Sequence, residues 1–118
     1  MANIGIILVA ALASLAGSEW GPEAGGKVEQ YTQFQEGDVV GFGGCNRFVG
    51  RYTYDGSAIK IGPLAATRMA CAPAVMDAEQ AWFRMLEGAS AAEATPKSLI
   101  LRDANGAVIA TLQRRDIS

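Results

Sequence analysis

Four glycines fall within residues 41–50 (GFGGCNRFVG), and the stretch runs on as Arg51-Tyr52-Thr53-Tyr54. Glycine at that density means backbone packed on backbone, or backbone at positive φ. Embedded in strand-like sequence, it marks a bulge or a sharp bend in a sheet. Asn46 follows Gly44 and Cys45, and its amide is suited to hydrogen-bonding neighbouring backbone at such a bend. A phosphate-cradling loop is a poor alternative. No Gly-Lys-Ser/Thr follows, and the run does not open a helix.

Short strands are predicted on either side. Residues 15–20 fit a first strand anchored by Trp20, ended by the breaker Gly21-Pro22-Glu23-Ala24-Gly25-Gly26. Residues 27–35 alternate, with Val28, Gln30, Thr32 and Phe34 on one face, and read as a half-exposed strand. Glu36-Gly37-Asp38 is a hairpin turn before a strand at 39–43. Residues 51–54 and 58–61 flank Asp55-Gly56, a strong hairpin signal. Gly62-Pro63 then breaks the run.

One helix is predicted over residues 73–87. Pro73 suits its first turn, Asp77 and Glu79 fall early, where the dipole favours acids, and Gly88 is its stop. Val75, Ala78, Trp82, Met85 and Leu86 form its core face. Residues 89–95 read as an alanine-rich link. Residues 98–102 and 107–112 read as a closing hairpin about Asn105-Gly106. Strands, one helix, then strands give an α+β class: a strongly bent, mainly antiparallel β-sheet packed by one α-helix. There is no internal repeat and no second domain.

Composition limits the chemistry. The chain has 118 residues and no histidine, which removes Ser–His and Cys–His nucleophile pairs, an imidazole base and nearly every catalytic zinc site. No metal or cofactor is expected. Ten Lys+Arg against twelve Asp+Glu leave a net charge of −2, which argues against a sequence-independent nucleic-acid binder.

Residues 1–16 include the apolar run IGIILVAALASLA. It is too short to span a membrane and reads as a secretory signal peptide or an N-terminal apolar segment of the fold. Ala11-Leu12-Ala13 and Ser14-Leu15-Ala16 both fit a cleavage site, although the first basic residue is Lys27. Cleavage would leave residues 17–118 as the bulk of the domain, with no stable membrane span.

Two motifs carry a likeness. Gly44-Cys45-Asn46-Arg47-Phe48-Val49-Gly50-Arg51-Tyr52 is followed by the Asp-Gly hairpin. Then come Gly62-Pro63-Leu64-Ala65-Ala66-Thr67-Arg68-Met69-Ala70-Cys71, the helix and two strands. In this order they resemble the META domain family, that of the HslJ-like heat-shock lipoproteins, over about residues 15–115. The resemblance implies an envelope setting, a link to stress response and no established catalytic activity. The lipidation cysteine of many relatives is absent from the apolar run.

Cys45 and Cys71 are the only cysteines. A structural disulfide, two buried thiols and a redox pair are the readings open to them. An even count in a small exported domain favours the first, and the lack of Cys-x-x-Cys spacing or of a histidine disfavours the last. The binding candidates are Asn46, Arg47, Thr67 and Arg68. For Arg68 the alternative is a structural role, pinning the connector before the helix through forked hydrogen bonds. The expected protein is a monomeric, non-enzymatic, periplasmic or secreted module. Its partner would be an envelope protein or small molecule. The alternative is a carrier of a small molecule or lipid, with a cavity between helix and sheet.

Overall fold

A computed structural model describes residues 14–23 and 26–115. Strands β1 (Ser18–Gly21), β2 (Tyr31–Phe34), β3 (Asp38–Phe42), β4 (Arg47–Tyr54), β5 (Ile59–Ile61) and β6 (Ala65–Ala66) precede helix α1 (Pro73–Glu87). Strands β7 (Ala91–Ala94), β8 (Ser98–Arg102) and β9 (Val108–Arg114) follow it. The sheet order is β5-β4-β3-β2-β1-β9-β8-β7, with β6 also on β4. All these pairings are antiparallel. The sheet bends until its ends meet at one bridge, Ala58–Ala91, without closing.

Period-two alternation sends one face of each strand inward. Trp20, Phe34, Val39, Phe48, Ile61, Leu99, Leu101 and Leu112 are buried there. Helix α1 lays Trp82 and Leu86 onto the same core, and side chains of that kind each stabilise the fold by about 1.5–3 kcal/mol on burial. The Trp82 indole N–H donates to Thr32 Oγ1 at 3.1 Å, so both buried polar groups are satisfied. The expected hairpins form: Asp55 N–H donates to Ala58 O at 3.2 Å, and Asp103 N–H to Ala107 O at 2.9 Å.

The structure departs from the sequence pattern at several places. The alanine-rich stretch expected to be a link contains β7, whose Ala92 and Ala94 are buried against the core. Alanine's weak strand preference hides such a strand until its partner is known. The second is β6, only two residues long and held by Phe48 and Val49 of β4. The strands expected over residues 15–20 and 27–35 shrink to Ser18–Gly21 and Tyr31–Phe34, and the one expected over residues 51–54 lengthens to Arg47–Tyr54. Finally, no acidic residue lies in the first turn of α1, so Glu79 serves something other than the helix dipole.

Residues 1–13 of the apolar segment lie outside the described residues, as do residues 24 and 25 of the breaker. Leu15, just beyond the first of these, is 1% exposed and packs in the core. Among the described residues no helix is long and apolar enough to cross a membrane.

Candidate functional site

The glycine-rich bend meets the connector between β6 and α1 at Asn46. Gly44 turns the chain from β3 into β4 at φ +127°, a backbone state that favours glycine. Gly43 leaves room for the helix, since a Cβ there would lie 2.8 Å from Glu79 Cγ and 2.9 Å from a Phe83 ring carbon. The Gln30 amide donates to Gly43 O at 2.9 Å and to Ala78 O at 3.0 Å, tying bend to helix.

Asn46 is 2% exposed, and its side chain is fully engaged. Its Oδ1 accepts the Thr67 hydroxyl at 2.9 Å and the Met69 N–H at 2.7 Å. Its Nδ2 donates to Met69 O at 3.0 Å and to Glu79 Oε2 at 2.8 Å. Two acceptor sites and two N–H groups are all that a side-chain amide offers.

Glu79, on α1, is 1% exposed. Its Oε1 accepts the backbone N–H groups of Cys45 at 2.9 Å and Asn46 at 2.6 Å. Burial is the largest single influence on this carboxyl and pushes its pKa up. The Asn46 side chain and the two backbone N–H groups together outweigh burial and hold it below the usual carboxylate range. Among the described residues Glu79 has no ion-pair partner, so N–H dipoles alone stabilise its charge.

Cys45 and Cys71 form a disulfide with their Cα atoms 6.0 Å apart. It ties the bend to the end of the connector. Closing a loop with a sequence separation of 26 contributes roughly 3.5 kcal/mol in the chain-entropy estimate. The connector is held further by Thr67 N–H on Arg47 O at 3.1 Å, and Leu64, just before β6, by its N–H on Glu87 Oε2 at 2.8 Å.

The four binding candidates therefore divide. Asn46 and Thr67 are bonded to each other. Arg68 is exposed and lines the cleft between connector and α1, a space of about 400 Å³ that Ala66, Met69, Gln80 and Phe83 also line. Arg47 is exposed on β4 and stands outside that lining. The structural role weighed for Arg68 is not the one seen. Among the described residues its side chain makes no hydrogen bond or ion pair, and Asn46 with the disulfide pins the connector instead.

Glu79 is the residue that sequence reasoning missed. Its signal was its place in the helical stripe: Val75, Glu79, Trp82 and Leu86 follow 4-3-4 spacing, which buries an acid among apolar side chains. A buried carboxylate needs donors, and the bend supplies them. Among the described residues no group of three His, Cys, Asp or Glu side chains is placed to hold a metal ion.

A family model described as the META domain matches residues 12–116. The fold is similar to an NMR structure of a protein from Burkholderia xenovorans, with a TM-score of 0.71 at 21% identity over 98% of this chain and 96% of that one. A second NMR structure is similar with a TM-score of 0.59 at 25% identity, over 86% of this chain and 90% of the other. A search of curated proteins finds none that matches.

Proposed function

The chain belongs to the META domain family, and from that premise we propose a non-enzymatic, exported binding module of the cell envelope, working through the cleft beside Arg68. One observation carries this reading. Asn46 and Glu79 line the cleft, yet each of their side-chain polar atoms is already engaged within the fold. A general acid or base needs a proton it can exchange near the working pH, and Glu79 is held ionised by its donors. What the cleft offers a visitor is the Arg68 guanidinium, the Gln80 amide and Met69, which is 60% exposed. Those groups recognise; they do not react.

Export is supported by the disulfide, since such bonds persist in oxidising compartments, and by the apolar N-terminal run. Cleavage before Ser14 keeps the core residue Leu15, whereas cleavage after Ala16 removes it. A stress-related role and a monomeric state complete the proposal.

The test is fractionation of an exporting bacterium expressing the full chain, with thiols trapped at lysis. The reading expects a disulfide-bonded chain in the periplasm or medium. A reduced chain confined to the cytoplasm contradicts it. So does any turnover abolished by Glu79→Gln in a protein that remains folded.

A carrier is the second reading. It is favoured by a cleft of about 440 Å³ between α1 and β9, lined by Trp82, Met85, Ile109 and Leu112 among others. Native mass spectrometry separates the two: an apolar molecule co-purifying in fixed ratio supports the carrier.

A further inference from the structure

Among the described residues strand β6 is paired on one side only, and that side can be read from its register. Thr67 N–H donates to Arg47 O at 3.1 Å, Phe48 stands opposite Ala66, and Val49 stands opposite Ala65. Bonded and non-bonded pairs alternate along an antiparallel ladder. The Thr67–Arg47 pair is bonded, so the N–H and C=O of Ala66 point away from β4. Leu64 N–H lies on that same outer edge, and it is bonded to Glu87 Oε2 of α1. The edge therefore faces the helix across the cleft already described.

Glu87 takes the first donor of this edge, as a neighbouring strand's carbonyl would. The next two donors, Ala66 N–H and Arg68 N–H, have no hydrogen-bond partner among the described residues, nor has Ala66 C=O. Donors two residues apart along an extended chain repeat every 6.5–7 Å or so. Carbonyl groups of an extended peptide repeat at the same interval, so the edge is a template for one more strand.

Charge indicates which peptide fits. Arg68 lines the cleft, and Arg47, outside that lining, sits on β4 opposite Thr67. Both are exposed, and neither has an ion-pair partner among the described residues. By contrast, Arg51, Arg102 and Arg115 meet Asp38, Glu93 and Glu19 at 3.1, 3.1 and 3.3 Å. Glu79, the acid that lines the cleft, is committed to the bend, and Glu87 on the same helix is committed to Leu64. Met76, Met69 and Phe83 supply apolar lining for alternate side chains.

Resting on the reading of this cleft as the working surface, we propose that a partner contributes an extended acidic segment that adds to the outer edge of β6 as a strand, between β6 and α1. The test is selection of a phage-displayed library of random linear peptides against the disulfide-bonded full chain. The enriched peptides are then synthesised and titrated into isotope-labelled protein. The proposal expects Asp or Glu in the enriched sequences and shifts centred on the Ala66 and Arg68 amides. Methylating every second peptide nitrogen in the binding register abolishes binding, whereas methylating the intervening ones leaves it intact. Arg68→Glu, at an exposed position, weakens binding by about tenfold or more.

Peptides that bind the cleft whichever nitrogens are methylated overturn strand addition and leave the cleft as the working surface. A selection that enriches nothing, or only peptides that leave the cleft signals unmoved, overturns both. Shifts at Ala66 and Arg68 that follow the protein's own concentration assign the edge to a second copy and overturn the acidic-peptide proposal.

Discussion

Glu79 holds Asn46 twice, accepting its backbone N–H at 2.6 Å and its side-chain N–H at 2.8 Å. Asn46 in turn holds Thr67 and Met69. The helix, the glycine-rich bend and the connector are thus one hydrogen-bonded unit, and its consequences can be measured.

Glu79→Gln keeps the shape but sets an NH₂ against the Asn46 NH₂, and it removes the charge from the remaining bonds. Urea unfolding is expected to show a loss of about 1.5–3 kcal/mol. Asn46→Ala, which strips partners from Thr67, Met69 and Glu79, is expected to cost about 2–4 kcal/mol. The double variant should lose less than the sum of the two, because both act on one network. Simple additivity would show that the two residues are energetically separate.

Acid should weaken the fold through the same carboxylate. A native pKa below the unfolded value of ~4.3 means that the unfolded chain binds more protons in that range. The contribution of Glu79 is therefore complete above about pH 5 and fades as pH falls through its lowered value. The gap between the wild type and Glu79→Gln, measured by urea unfolding, should narrow in acid. Asp55, also lowered by the backbone N–H groups of Ala58 and then Ser57, titrates in both proteins and cancels. A gap that widens in acid would contradict the assignment.

Much of this arrangement was legible beforehand. Helix α1 carried Pro73, Gly88 and its Trp82-Leu86 face, and the hairpins carried Asp55-Gly56 and Asn105-Gly106. Local chemistry decides such elements. The glycine density announced the bend, but Asn46, read as a residue that bonds neighbouring backbone, bonds instead Thr67, Met69 and Glu79, which lie 21, 23 and 33 residues away. Strand β7 was hidden because Ala91-Ala92-Glu93-Ala94 has little strand preference of its own and is ordered by β8. Glu79 was read through its helix position alone, because the backbone groups that stabilise its charge lie 33 and 34 residues away in the chain. Arg68 was read as a binding candidate with a structural role as the alternative; Asn46 performs that structural task, and no spacing in the sequence distinguishes the two.

Reducing the disulfide should free one end of the connector without dismantling the sheet. Thermal melts with and without reductant, or of Cys71→Ser, should show a loss of up to about 3.5 kcal/mol. Amide exchange should accelerate most over residues 67–72. Acceleration spread evenly over β8 and β9 would argue against this local clamp.

Gly43→Ala should push α1 off the bend, because the new methyl meets Glu79 and Phe83 at 2.8 and 2.9 Å. A cost of about 1–3 kcal/mol is expected in urea unfolding. The Glu79 carboxyl should also titrate closer to the ordinary range, since its donors no longer seat as closely. A variant of wild-type stability with an unmoved carboxyl would show that the approach of helix to bend is looser than described.

The account rests on Glu79 being an anchor that is ionised at neutral pH rather than a reactive acid. The direct measurement is an NMR titration of its side-chain carboxyl carbon in the folded, disulfide-bonded protein. A midpoint below the usual glutamate value of ~4.3 is the expected result. A midpoint near neutrality, where a general acid or base would be poised, would contradict it.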